Sequence, residues 1–151
     1  MAAALLAIRH GFRGPSHSVS TACSTGLHSI GDAYNFIKNN MADVMIAGGT
    51  DACINPLAIS GFSNIRALSK KFKDDPTKAS RPFDKDRDGF VMSEGAAVLV
   101  LEELEHAIER NANILCEVVG KRMTNENEIS CRVYFRLKFL IQFKDIKKLR
   151  V

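Results

Sequence analysis

HSVSTACSTGLHSIGDAYNFIKNNMADVMIAGGTDA, residues 17–52, is the stretch from which the fold is read. Its opening, with Val19 and Thr21, is short and β-branched and predicts a strand over 17–21. From Ser24 onward Leu27, Ile30, Tyr34 and Ile37 recur every three or four residues, the spacing of a helix with one buried face, which should stop near Asn39 and Asn40. DVMIA, residues 43–47, is a continuous apolar run closed by Gly48-Gly49, as in a strand of a sheet covered on both faces.

Outward from this unit the alternation continues. Residues 2–12 carry apolar positions at helical spacing before Gly14-Pro15, a pair that stops helices. A weaker helical stretch covers 57–68, and 69–89, rich in Lys, Asp and Pro, reads as a long solvated loop of the kind that often serves a site. AAVLVL (96–101) predicts a second buried strand, 102–111 a helix with Glu105 and Glu109 facing water, and 114–119 a third strand. Strands alternating with helices argue an α/β layered fold. After Gly120 the pattern changes. Residues 121–151 are Lys-rich and aromatic-rich, and their apolar positions fit neither the helix nor the strand period.

Composition sets outer bounds. The chain has 151 residues, 46% apolar and 25% charged, as one globular domain requires. The longest uncharged stretch is interrupted by Pro, His, Ser, Thr and Gly, so no membrane span is expected. The net charge of +4 is unevenly placed: residues 1–120 hold 12 Lys and Arg against 14 Asp and Glu, and 121–151 hold 9 against 3. Cys23, Cys53, Cys116 and Cys131 have no C-x-x-C spacing, which predicts reduced thiols in an intracellular protein and no zinc site. MAAALLAIRHGFRG has arginines and no acid, as a mitochondrial transit peptide would. An amphipathic helix accounts for the same residues and is the preferred reading.

Cys23 falls where the strand gives way to the helix, so the unpaired N–H groups and positive dipole end of that helix face its sulfur. This favours thiolate, the nucleophilic form of cysteine. Gly26, in the first turn, leaves room for a close approach. An inert, buried cysteine fits the same corner.

The pieces STACSTG (20–26), ADVMIAGGTDA (42–52), GFSNIRALS (61–69), ASRPFDKDRDGFVMSEGAAVLVLEELEHA (79–107) and EVVG (117–120), in this order, resemble the elongating β-ketoacyl-acyl-carrier-protein synthases. GGTDACINPLAISGF leans toward the mitochondrial form. The resemblance covers about residues 1–120, read as a partial nucleophile-bearing N-terminal domain, with 121–151 an unmatched basic tail. It implies a thiolase-like αβαβα layered fold, only part of it present, and a decarboxylative Claisen condensation on acyl carrier protein. Cys23 takes the place of the acyl-accepting nucleophile, its backbone N–H half of an oxyanion hole. Phe62 would line the fatty-acyl pocket and Phe90 would pack beside the reacting centre; both also fit as plain core aromatics. Arg87, Asp88 and Glu94 would hold the loop by ion pairs.

The resemblance further implies no cofactor and no metal, a homodimer in the full-length family, and a mitochondrial location with a cytoplasmic alternative. The family's two catalytic histidines, its lysine and its Phe-containing glycine loop find no match. His10, His17, His28 and His106 lie outside the family's histidine motifs, so the chain is expected to be inactive alone through truncation, or to act as a non-catalytic fragment that pairs with or interferes with a full-length synthase. Two rivals are set aside. DKDRDG (84–89) opens like an EF-hand, but its twelfth position is Gly95 rather than a bidentate Glu. The tail's alternating cations and Phe135, Phe139 and Phe143 permit nucleic-acid or anionic-membrane contact, but no fingerprint of either accompanies them, so neither nucleic acid nor a membrane span is expected.

Overall fold

The computed structural model describes residues 2–118. Its elements are α1 (Ala2–His10), a 3₁₀ turn (Ala22–Ser24), α2 (Thr25–Lys38), β1 (Val44–Asp51), α3 (Pro56–Asn64), a second 3₁₀ turn (Pro76–Lys78), β2 (Gly95–Glu102) and α4 (Leu104–Glu109). The described residues divide into two units, those up to 49 together with those from 96 onward, and residues 50–95.

In the first unit the apolar spacing of α2 does what it predicts. Ile37 and Ala33 are buried and Ile30 and Tyr34 pack beside them, against Ala47 of β1, Leu101 of β2 and Val118. β1 and β2 form a two-stranded antiparallel sheet. Its strands lie so close at Gly48 that a Cβ there would stand 2.0 Å from the Ala97 carbonyl oxygen. The Glu103 amide donates to the Asp43 carbonyl at 2.9 Å and closes the pair at its other end. Just before that closure Glu102, 1% exposed, accepts from Arg110 Nε at 2.6 Å and Nη2 at 2.5 Å, and lies 2.6 Å from His106 Nδ1. The Arg110 guanidinium, with His106 adding to it and against the opposing pull of burial, holds this carboxyl below its ordinary range. Glu102 is therefore the last residue of a strand rather than the first of a helix, while Glu105 and Glu109 of α4 face water as expected.

The four α-helices among the described residues end alike. An amide reaches back five residues, Phe12 to Ala7, Met41 to Phe36, Ala67 to Phe62 and Ala112 to Ala107, at 2.8 to 3.0 Å. The residue before each of those donors is left-handed: Gly11, Asn40, Arg66 and Asn111. So α1 stops at Gly11, three residues before the Gly14-Pro15 pair.

Several expected elements differ. Residues 17–21 and 114–118 form no strand, although Cys116 stands at a bridge position. Among the described residues the sheet has two strands, so these segments have no ladder to join. β1 does not close at Gly48-Gly49 but runs through them, because glycine is what lets β2 approach. Neither strand is covered on both faces: β2 is buried only at Leu101 and Glu102, and Val44 and Ile46 of β1 are exposed. The tail, 121–151, lies outside the described residues.

The second unit is built differently. None of residues 50–95 is buried. Asn55 caps α3, its Oδ1 accepting from the Ala58 amide at 3.0 Å, and Pro56 fits the first helical turn. The loop that follows is held by a parallel bridge between Leu68 and Phe90. Gly89 makes this possible, with φ +143° and its Cβ position only 2.5 Å from the Ala67 oxygen.

Candidate functional site

The Cys23 turn is made by backbone bonds. Ser24 N–H donates to the Thr21 carbonyl at 3.2 Å and Thr25 N–H to that of Ala22. This 3₁₀ turn, rather than a strand end, carries Cys23 into α2, and the thiol is exposed. Ala22, immediately before it, has φ +51°. A non-glycine residue in that region costs roughly 1–2 kcal/mol, so the turn is strained where the thiol is presented. The Thr25 side chain straddles it: Oγ1 accepts from the Thr21 amide at 2.9 Å and donates to the Ala22 carbonyl at 2.7 Å.

α2 is seated on β1 at its first turn. A Cβ on Gly49 would lie 3.3 Å from the Gly26 Cα, so helix and strand backbones touch there. One turn on, Ser29 Oγ lies 2.8 Å from the Gly26 carbonyl and 2.7 Å from that of Gly48, sharing its single proton between helix and strand. Gly26 thus makes the close approach its position suggested, to backbone. His28 is buried, with neither ring nitrogen hydrogen-bonded.

Cys23, Cys53 and Cys116 are the free thiols among the described residues. A hydrogen bond with Asp51, then desolvation and the Asp51 charge, push the Cys53 thiol up, and burial does the same to Cys116. Both are held toward the protonated, unreactive form.

Phe62 and Phe90 belong to the second unit and meet edge to face, ring centroids 6.2 Å apart at 81°. Both are exposed rather than core aromatics. Phe90 also lines a groove of about 390 Å³ with Ile59, Leu68, Phe72 and Met92, and Lys70 and Lys73 are its charged lining. The expected ion pairs of Arg87, Asp88 and Glu94 are instead hydrogen bonds, chiefly with the main chain. Asp88 accepts from Ser69 Oγ at 2.5 Å and from the Lys70 and Lys71 amides at 2.7 and 2.8 Å, bonds that lower its carboxyl. Glu94 accepts from the Ile54 amide at 3.2 Å, and Arg87 Nη1 donates to the Asp84 carbonyl at 2.9 Å. Sequence reasoning missed Thr25 and Ser29; a hydroxyl two residues after a candidate nucleophile at a helix start was the available signal.

Among the described residues no group of three His, Cys, Asp or Glu could hold a metal ion, and no helix is long and apolar enough to cross a membrane.

Residues 1–107 match the family described as β-ketoacyl synthase, N-terminal domain. The chain belongs to the β-ketoacyl synthases, condensing enzymes of thiolase-like fold. A mitochondrial relative from Schizosaccharomyces pombe, named for 3-oxoacyl-[acyl-carrier-protein] synthase activity, is 56% identical over 127 residues, 84% of this chain and 30% of that protein. The mitochondrial 3-oxoacyl-[acyl-carrier-protein] synthase of Arabidopsis thaliana is 53% identical over 83% of this chain and 27% of its own length. Among solved structures, a type II polyketide ketosynthase bound to a hexaketide, in complex with its acyl-carrier protein, superposes with a TM-score of 0.79 at 38% identity, over 82% of this chain and 31% of that one. The chain thus spans about 30% of the curated relatives it matches.

Proposed function

We propose that this chain is the nucleophile-bearing part of a 3-oxoacyl-[acyl-carrier-protein] synthase of fatty acid biosynthesis, with Cys23 the residue acylated. The observation that carries the reading is the presentation of Cys23: exposed, on a turn strained at Ala22, at the start of α2, while the other two thiols among the described residues are pushed toward the protonated form. The carrier's phosphopantetheine thioester is attacked by the Cys23 sulfur, the S–acyl bond forms, and the carrier thiol leaves with a proton. The Cys23 amide donates to the oxyanion that develops. Malonyl carrier then loses carbon dioxide, and its carbanion attacks the Cys23 thioester, forming the carbon–carbon bond and expelling the thiolate.

Phe62 and Phe90, packed against each other, serve as aromatic lining for the acyl chain. Acyl carrier protein is the partner, as for the ketosynthase solved with its carrier. The whole enzyme is a homodimer in mitochondria, the location named for the yeast and Arabidopsis relatives. Residues 1–120 form the synthase segment and 121–151 a separate basic tail. The 151 residues alone do not complete a turnover, because His10, His17, His28 and His106 do not supply the family's decarboxylation histidines. A second reading, a fragment that pairs with a full-length synthase, is favoured by the exposed Val44 and Ile46 on β1.

The test is to incubate the protein with acyl carrier protein bearing a labelled acyl group, digest it and map the adduct. An acyl mass on Cys23, lost in Cys23→Ala, is expected. An adduct on Cys53 or Cys116 with Cys23 unmodified overturns the assignment.

A further inference from the structure

Resting on Cys23 as the nucleophile, we infer that Thr25 is a positioning residue: its hydroxyl clamps the backbone turn of residues 21–25 in the left-handed shape that presents the thiol. Thr25 Oγ1 has one proton and free lone pairs, and the geometry uses both capacities. It accepts from the Thr21 amide at 2.9 Å and donates to the Ala22 carbonyl at 2.7 Å. The two partners flank the Thr21–Ala22 peptide, and Thr25 itself lies on the far side of Cys23. One side chain therefore ties together both ends of the turn whose centre is the thiol.

The clamp acts where the turn is least stable by itself. Ala22 is left-handed at φ +51° and Thr21 sits at φ −129°, ψ 42°, so neither residue before Cys23 has helical or strand backbone. The remaining support is the Ser24 amide on the Thr21 carbonyl at 3.2 Å and the Thr25 amide on the Ala22 carbonyl. Both survive any substitution at 25 except proline. What a hydroxyl adds is the third and fourth bonds, and those are the ones that hold the Thr21 amide and double the hold on the Ala22 carbonyl. A valine at 25 keeps the volume, the β-branch and the backbone bond, and removes only the hydroxyl. Serine keeps the hydroxyl and removes only a methyl.

The experiment compares the 151-residue protein with Thr25→Val, Thr25→Ser, Ala22→Gly and the Ala22→Gly/Thr25→Val double variant. Two quantities are read: the rate of Cys23 alkylation by iodoacetamide, mapped by mass against Cys53, and hydrogen exchange at the Thr21 amide. In Thr25→Val, Cys23 alkylation is expected to fall about tenfold while the Cys53 rate stays within twofold, and the Thr21 amide loses protection. Thr25→Ser recovers most of the rate, which a loss of packing alone would not allow. In the Ala22→Gly background the left-handed backbone is no longer costly, so Thr25→Val costs markedly less than in the parent. A Cys23 rate within twofold of the parent in Thr25→Val, with Thr21 exchange unchanged, overturns the clamp; so does a Thr25→Ser variant as impaired as the valine. If parental Cys23 reacts no faster than in the urea-unfolded chain while Thr25→Val still deprotects Thr21, the clamp stands and the nucleophile reading falls.

Discussion

Placing a methyl group on Gly48 tests whether β1 and β2 pack as tightly as the structure has them. The Cβ of Gly48→Ala would lie 2.0 Å from the Ala97 oxygen, 2.8 Å from the Val98 Cα and 3.0 Å from the Ala97 carbonyl carbon. Every obstacle is backbone of the paired strand, so no side chain can rotate away and the strands must part by more than an ångström. Overpacking commonly costs about 1–3 kcal/mol, and each ladder hydrogen bond lost adds about 0.5–1.5 kcal/mol. With two strands among the described residues to share the displacement, a loss of roughly 3 kcal/mol or more is expected. Gly49→Ala meets the Gly26 Cα at 3.3 Å and its nitrogen at an ordinary 3.7 Å, and an adjustment of a few tenths of an ångström should cost about 1 kcal/mol. Gly61→Ala, in the interior of α3 with nothing within 4 Å, should stabilise that helix by about 0.5–1 kcal/mol. Urea unfolding followed by circular dichroism gives the order. A Gly48→Ala variant within 1 kcal/mol of the parent, or no worse than Gly49→Ala, would refute the close approach of the two strands.

Three further outcomes are expected. Because the folded Glu102 carboxyl is lowered chiefly by Arg110, its contribution to stability is full above the usual carboxylate range and is lost as pH falls through its depressed value; Arg110→Met should move that acid limb of the stability profile upward, and an unmoved limb would count against the pair. Residues 84–95 should give no saturable micromolar calcium signal in calorimetry, since Asp84 Oδ1 already accepts the Asp86 amide at 2.7 Å and Asp88 is occupied by three donors; a signal abolished by Asp84→Ala would reverse this. The 151-residue chain should release no labelled carbon dioxide from malonyl carrier protein above background, and turnover like that of a full-length synthase would overturn the reading of its missing histidines.

The parts of the fold legible in the sequence are those whose signal is local. Leu27, Ile30, Tyr34 and Ile37 repeat at helical spacing because α2 buries one side, and Asn39-Asn40 ends it because asparagine tolerates the left-handed turn. Apolar runs announced β1 and β2 but not their extent, since Gly48 and Gly49 read as a stop when their absent side chains in fact admit β2 and α2. The segments 17–21 and 114–118 have strand composition, yet a strand exists only where a neighbour accepts its hydrogen bonds, which composition does not encode. The motif around Cys23 is what proposes it as the nucleophile. The strain at Ala22 and the hydroxyl bridges of Thr25 and Ser29 depend on distances that no spacing rule reports.

In the loop after α3, shape and charge are assigned to different residues. Asp88 fixes the path of residues 69–71 through the Ser69 hydroxyl and two main-chain amides, so at 70 and 71 the bend is set by atoms every residue type possesses except proline. The ammonium groups of Lys70 and Lys71 are not among those donors. Such a division lets the electrostatic character of the surface drift, one lysine at a time, without renegotiating the backbone beneath it. A swap of Lys70 for glutamate therefore alters the field an approaching protein meets and leaves the scaffold standing, whereas the loss of the single carboxylate at Asp88 unfastens the loop.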